Sequence, residues 1–188
     1  ALFTAMSDAE PAEAIKAAIV NTLWELFFGL GYFDDELISI KHTLSNLGHG
    51  RPIYLQPNCI REDAVAFVIG SGPSLDGLLP ILREYGDRAV LFSCGTALSA
   101  LAHAGIRPDF HFEKERPYIV YEVLTRTVDK AFLKDISFIG LNVVHPDVFP
   151  LFRDGGIVMK AADVMSLLLA QAGIDQAVDH LCEFLAGD

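Results

Sequence analysis

The chain has 188 residues, 52% of them hydrophobic, and a formal net charge of −11. That length suits one α/β domain with an appendage and allows a substantial core. The negative balance argues against a nucleic-acid partner, which needs clustered Lys and Arg, and charged residues interrupt every apolar run before it could span a bilayer.

Cys59, Cys94 and Cys182 are far apart and form no Cys-x-x-Cys pair, which speaks against structural zinc or a disulfide framework and for a reducing, cytoplasmic setting. No metal-binding motif is expected. The chain begins at Ala1 without a methionine, a basic n-region or a cleavage pattern, as a piece of a longer protein would.

Ala12 to Leu30 carries Ile15, Ile19, Leu23, Leu26 and Leu30 at helical spacing, with Gly29 and Gly31 near its end, and reads as an amphipathic packing helix. Tyr32 to Leu47 repeats the pattern with Phe33, Leu37, Ile40 and Leu44, capped by Asp34 or Asp35. Ile53 to Leu55 is a short strand candidate. These features divide the chain into an N-terminal helical extension, 1–52, and a Rossmann-like nucleotide-binding domain, 53–188.

Ala64 to Ile69 is apolar on both faces, as a strand inside a parallel sheet would be. It runs into Gly70-Ser-Gly-Pro-Ser-Leu-Asp76. Gly70 and Gly72 permit unusual backbone angles and close approach of a ligand, Pro73 suits a first helical position, and Ser71 or Ser74 can cap. Bare N–H groups at such a helix start attract phosphate. The turn lacks the Lys of a Walker A loop and the third Gly of a dinucleotide fingerprint, so an ordinary tight connection is the competing reading.

Leu75 to Tyr85 reads as helix, Ala89 to Ser93 as a second strand, and Ala97 to Ala104 as a helix stopped by Gly105. Asp109 to Glu115 alternates, which places His111, Glu113 and Glu115 on one side of a third strand. Tyr118 to Val128 reads as helix, Asp135 to Leu141 as a fourth strand ending in Asn142, and Gly156 to Met159 as a fifth. Ala161 to Ala172 and Asp175 to Leu185 complete the helices. The alternation predicts an α/β, Rossmann-like, doubly wound and mainly parallel sheet with helices on both faces, and ligands in such folds sit at the carboxyl edge.

Three motifs in order, Gly70-Ser-Gly-Pro-Ser-Leu-Asp76, Ser93-Cys-Gly-Thr-Ala-Leu98 and Ala104-Gly-Ile-Arg-Pro-Asp-Phe-His-Phe-Glu113, resemble the motility-associated factor (Maf) family. Its central region is domain of unknown function 115, also called hydroxymethylpterin diphosphokinase-like. Gly31-Tyr-Phe-Asp-Asp-Glu-Leu-Ile38 with Thr43-Leu-Ser-Asn46 is similar to the segment that precedes that region, so the resemblance spans roughly residues 28 to 173.

The resemblance implies a flagellin glycosyltransferase that uses CMP-activated nonulosonic acids. The glycine turn is also similar to that of bacterial sialyltransferases. By position, Gly70, Ser71, Gly72, Pro73 and Ser74 would hold the nucleotide phosphate, and Ser93, Cys94, Gly95 and Thr96 would lie by the ribose or base. Sialyltransferases commonly carry Asn at the position of Ser71 and near Gly95, and this chain does not. The later Maf segment is not recognisable in Asp175 to Asp188.

Glu113 is the preferred general base, with His111 and His145 as further catalytic candidates and Asn142 as a ligand contact. The bland readings are an ion pair of Glu113 with Arg107 or Arg116, a structural His111 and a turn-forming His145. Two alternatives stay open: an ATP-dependent pterin diphosphokinase-like enzyme, with Asp109, Glu113 and Glu115 holding magnesium, and a non-catalytic nucleotide-binding or assembly module.

Overall fold

The computed structural model describes residues 33–49, 65–160 and 163–171. The expected helices at Ala12 to Leu30 and Asp175 to Leu185, the strand at Ile53 to Leu55 and the boundary near residue 52 lie outside those residues. Helix α1 spans Phe33–Gly48. The strands are β1 (Ala66–Ile69), β2 (Val90–Cys94), β3 (Phe110–Glu113), β4 (Ser137–Leu141) and β5 (Asp154–Val158), and the helices between and after them are α2 (Leu75–Tyr85), α3 (Ala97–His103), α4 (Ile119–Thr127), α5 (Lys130–Leu133) and α6 (Val164–Gln171). A 3-10 helix, Pro146–Leu151, joins β4 to β5.

All five strands pair in parallel, in the sequential order β1-β2-β3-β4-β5. The fold is therefore α/β and Rossmann-like. Sequential order with right-handed crossovers puts the connecting segments on one face of the sheet, and no reversal of strand order occurs among the described strands. The register places Ile69, Ser93, His111, Phe138 and Gly155 in one row across the sheet. That face is packed by helices. Ile69 and Leu91 join Leu75, Leu82, Leu101 and Ile106 in one cluster, while Phe138 and Ile157 join Leu98, Leu124, Leu133 and Phe149 in another.

Gly140 is required by this packing, because a Cβ there would stand 2.7 Å from Phe138 Cε1 and 2.9 Å from Phe149 Cζ. On the opposite face Phe92 and Phe110 stack at 4.9 Å and are half-buried.

Several local expectations need correction. Pro73 lies two residues before α2 rather than inside it, and Ser74 occupies the N-cap position with helical angles and no side-chain cap bond. Positive φ occurs at Gly95 (+53°) and Gly105 (+68°), not at Gly70 or Gly72. Strand β3 ends at Glu113, so Glu115 is not part of its ionisable row. Helix α1 reverses the usual amphipathic arrangement: Ser39, His42, Thr43 and Asn46 are buried, whereas Phe33, Leu37 and Leu44 are exposed.

Candidate functional site at the carboxyl edge

The glycine turn follows β1 and is exposed from Gly70 through Ser74. Leu75 N–H donates to Gly72 O at 3.0 Å. The N–H groups of Ser71, Gly72 and Ser74 meet no acceptor among the described residues. A Cβ on Gly70 would meet nothing within 4 Å and one on Gly72 only Ser74 Oγ at 3.7 Å, so the space above the turn is open. Helix α2 directs the positive end of its dipole there, although Asp76 stands in its first turn.

The neighbouring turn, Gly95-Thr96, bends in the left-handed region at Gly95, and Gly95 N–H donates to Phe112 O at 3.2 Å. Thr96 Oγ1 donates to Ser71 Oγ at 2.8 Å. This bond brings the two predicted nucleotide segments together. Cys94 is half-buried, and burial, then the Glu113 carboxylate, push its thiol pKa up.

Ser93 is the exception in its segment. It is fully buried, and its Oγ donates to Phe110 O at 3.3 Å and lies 2.9 Å from His111 Nδ1. His111 is also fully buried, with its ring near Phe138 and Phe152. With Nδ1–H shared between Ser93 Oγ and Ser93 O, its Nε2 is left without a partner. Burial lowers its pKa to about 4. Neither side chain reaches the edge, so the expectations of a catalytic His111 and a ligand-binding Ser93 are replaced by a core pair.

Glu113 is the last residue of β3, at the carboxyl edge, and is buried, 7% exposed. Its Oε1 accepts from the N–H groups of Lys114 (2.8 Å) and Glu115 (3.0 Å), and Oε2 has no donor among the described residues. Burial raises its pKa, against the lowering by those two N–H groups. It pairs with neither Arg107, which bonds Asp135 at 2.8 Å, nor Arg116, which contacts Asp35, Glu36 and Ser39 of α1. Ser71 and Gly95 follow the ends of β1 and β2, and Glu113 ends β3, so all three belong to the carboxyl edge of the sheet.

Beyond β4, His145 Nδ1 accepts from Asp147 N–H at 3.3 Å, so the turn role is real. Its ring stands edge-on to Tyr118 (4.9 Å) and His42 (4.8 Å). His42 from α1 was not anticipated as a site residue. Its Nδ1 donates to Val143 O at 2.9 Å, and burial, followed by the charge of His145 among its causes, lowers its pKa. The signal was present in Ser39, His42, Thr43 and Asn46, a polar stripe on one side of a helix.

Asn142 is fully buried and belongs to the scaffold. Its Nδ2 donates to Thr43 Oγ1 (2.8 Å) and Asp163 Oδ2 (3.1 Å), and its Oδ1 accepts from Lys160 N–H at 2.7 Å. This replaces the expected ligand contact. Asp109, at the other end of β3 from Glu113, accepts Leu91 N–H at 2.8 Å. The three carboxylates expected for magnesium therefore do not converge. A polar cleft lined by Arg83, Arg107 and Asp109 lies at that amino edge, where Arg83 is bound to Ala104 O, Arg107 to Asp135 and Asp109 to Leu91.

Residues 41–186 match the model of the family described as 6-hydroxymethylpterin diphosphokinase MptE-like. Among solved structures, a Maf glycosyltransferase from Magnetospirillum magneticum AMB-1 is similar at 33% identity and a TM-score of 0.64, over 70% of this chain and 21% of that one. An uncharacterized protein of Treponema pallidum (strain Nichols) is 28% identical over 82 residues, 44% of this chain and 39% of that protein. The chain thus spans well under half the length of either relative. By its fold, its ordered motifs and the family match across most of its length, the chain belongs to the Maf/MptE-like family.

Proposed function

We propose that this domain is the nucleotide-sugar-binding part of a glycosyltransferase that takes a CMP-nonulosonic acid donor and a flagellin-type protein acceptor. The observation that carries the reading is the open glycine turn, with unpaired N–H groups and room above Gly72, tied to the second turn through Ser71 and Thr96. The likeness to a solved Maf glycosyltransferase supports it.

In this reading the acceptor hydroxyl attacks the anomeric carbon, the bond from that carbon to the phosphate oxygen breaks, and CMP departs with the electron pair. The N–H groups of Ser71, Gly72 and Ser74 stabilise the negative charge that develops on the phosphate. Glu113 takes the acceptor proton through Oε2, and burial, which raises its pKa, makes it a stronger base than an exposed carboxylate. His145, which stands against Tyr118 and His42 beyond β4, is the further catalytic candidate. His111 and Asn142 have no part in the chemistry.

A second reading, diphosphate transfer from ATP, is favoured by the description of the matched family. Titration calorimetry with CMP, CDP and ATP, with and without magnesium, separates the two. Metal-independent binding of CMP is expected. Binding of ATP alone, and only with magnesium, would favour diphosphate transfer.

A further inference from the structure

Three polar residues follow β3, and their side chains take different courses. Those of Lys114 and Glu115 are 70% and 59% exposed, whereas that of Arg116 is 22% exposed and lies against α1. There its Nη1 donates to Asp35 O at 3.1 Å and to Ser39 Oγ at 2.8 Å, and its Nη2 stands 3.4 Å from Asp35 Oδ2. Glu36 Oε1 is 4.0 Å from Nη1. The planar guanidinium fork suits this use, because it meets a carbonyl, a hydroxyl and a carboxylate together. Among the described residues, these are the hydrogen bonds and ion pairs that tie residues 114–116 to another element.

Helix α1 is itself anchored. His42 Nδ1 donates to Val143 O, Asn46 Nδ2 to Asn142 O and Val144 O, Thr43 Oγ1 accepts from Asn142 Nδ2, and α6 packs beside the helix. These bonds are buried, so shifting α1 would leave polar groups unpaired. Arg116 therefore fastens the loop after β3 to a body fixed on the loop after β4.

That loop holds Glu113. The N–H groups of Lys114 and Glu115 both donate to Glu113 Oε1, at 2.8 and 3.0 Å. Pro117, with its own φ fixed by the ring, follows directly, so the segment between the strand end and the proline is short.

We infer that Arg116 is a positioning residue for Glu113: seated on Asp35 and Ser39, it fixes the loop whose two N–H groups clamp Oε1 and leaves Oε2 for the acceptor proton. The inference rests on the role given to Glu113 above, and it makes α1 a working part of the site.

The test follows the clamp. In NMR spectra of the full chain across the carboxylate range, the amide protons of Lys114 and Glu115 should shift as Glu113 ionises, since a hydrogen bond to a charged oxygen is the stronger one. Glu113→Gln should remove that response. Arg116→Ala should cut it by about half or more, as the bonds lengthen and bend, and should speed exchange of the two amides about tenfold. Ser39→Ala removes an acceptor 77 residues away, keeps every charge and favours the helix, and should act in the same direction more weakly. An undiminished response in Arg116→Ala, or in Ser39→Ala should the first variant not fold, would overturn the inference.

Turnover separates the inference from the reading beneath it. With a CMP-activated donor, kcat in Arg116→Ala should fall about tenfold or more while CMP affinity stays within about twofold. A weakened clamp with unchanged kcat would overturn the positioning role. Where the parent chain binds no CMP or turns over no donor, the transferase reading fails, and the amide response still decides the clamp.

Discussion

Thr96 Oγ1 donates a hydrogen bond of 2.8 Å to Ser71 Oγ, joining the turns that follow β1 and β2. Both hydroxyls are exposed, so the bond orients the two turns rather than filling a core. The N–H groups of Ser71, Gly72 and Ser74 meet no acceptor among the described residues, and a Cβ on Gly70 would meet nothing within 4 Å.

Thr96→Val keeps the side-chain shape and removes the bond. Nucleotide affinity by calorimetry should fall about three- to tenfold, the range expected for one neutral hydrogen bond. The melting temperature should barely change, since surface substitutions away from a core have small effects. A large loss of stability with unchanged affinity would assign the bond to the scaffold.

His111 makes stability depend on pH. Its pKa is about 4 in the folded chain against 6.5 for the free side chain, so the unfolded chain binds the extra proton first as pH falls. The contribution is complete above pH 6.5 and is lost progressively down to about pH 4. At about 1.4 kcal/mol per pH unit the loss approaches roughly 3 kcal/mol. Urea unfolding midpoints across that window should show this slope, and His111→Phe should flatten it. Nucleotide affinity at pH 7 should be the same in both proteins.

Asn142→Ala should destabilise the fold by about 2–4 kcal/mol, because Lys160 N–H loses its acceptor and Thr43 Oγ1 and Asp163 Oδ2 each lose a donor. Affinity for CMP in the folded fraction should stay within about twofold. Denaturation followed by calorimetry checks both. A stable variant with much weaker CMP binding would return Asn142 to the ligand.

Glu113→Gln should lower sugar transfer, or hydrolysis of the donor, by about a hundredfold or more while CMP affinity is retained. Stability supplies a control. Burial raises the Glu113 pKa in the fold, so ionisation at neutral pH works against folding, and this cost is absent below the ordinary carboxylate range and grows as pH rises through the folded pKa. The neutral Gln variant should be at least as stable as the parent at pH 7. Lost stability together with lost turnover would make Glu113 structural.

The alternation of strands and helices was legible in the sequence because each apolar run is short and punctuated by Gly, Pro or Asp. Leu75–Tyr85 starts and stops where its pattern does. Periodicity put His111 and Glu113 on one side of β3 correctly, yet it carries no information on which side the helices cover. That is decided by strand order and crossover hand, so a histidine expected at the edge is in the core, and the glutamate at the strand end is itself buried at that edge. Asn142 misled for a related reason: its partner Thr43 lies 99 residues away, and a polar residue at a strand end looks alike whether it meets a ligand or a buried helix. In α1 the stripe was read correctly as a stripe, but its apolar side faces outward because the polar side has specific partners on β4 and beyond.

Gly72→Val tests the central claim most directly. The added Cβ meets only Ser74 Oγ, at 3.7 Å, and enters the space assigned to the phosphate. In a calorimetric titration with CMP, alongside a thermal melt, the parent should bind and the variant should not, with the melting temperature of the two alike. Equal CMP affinity in both proteins would contradict the account.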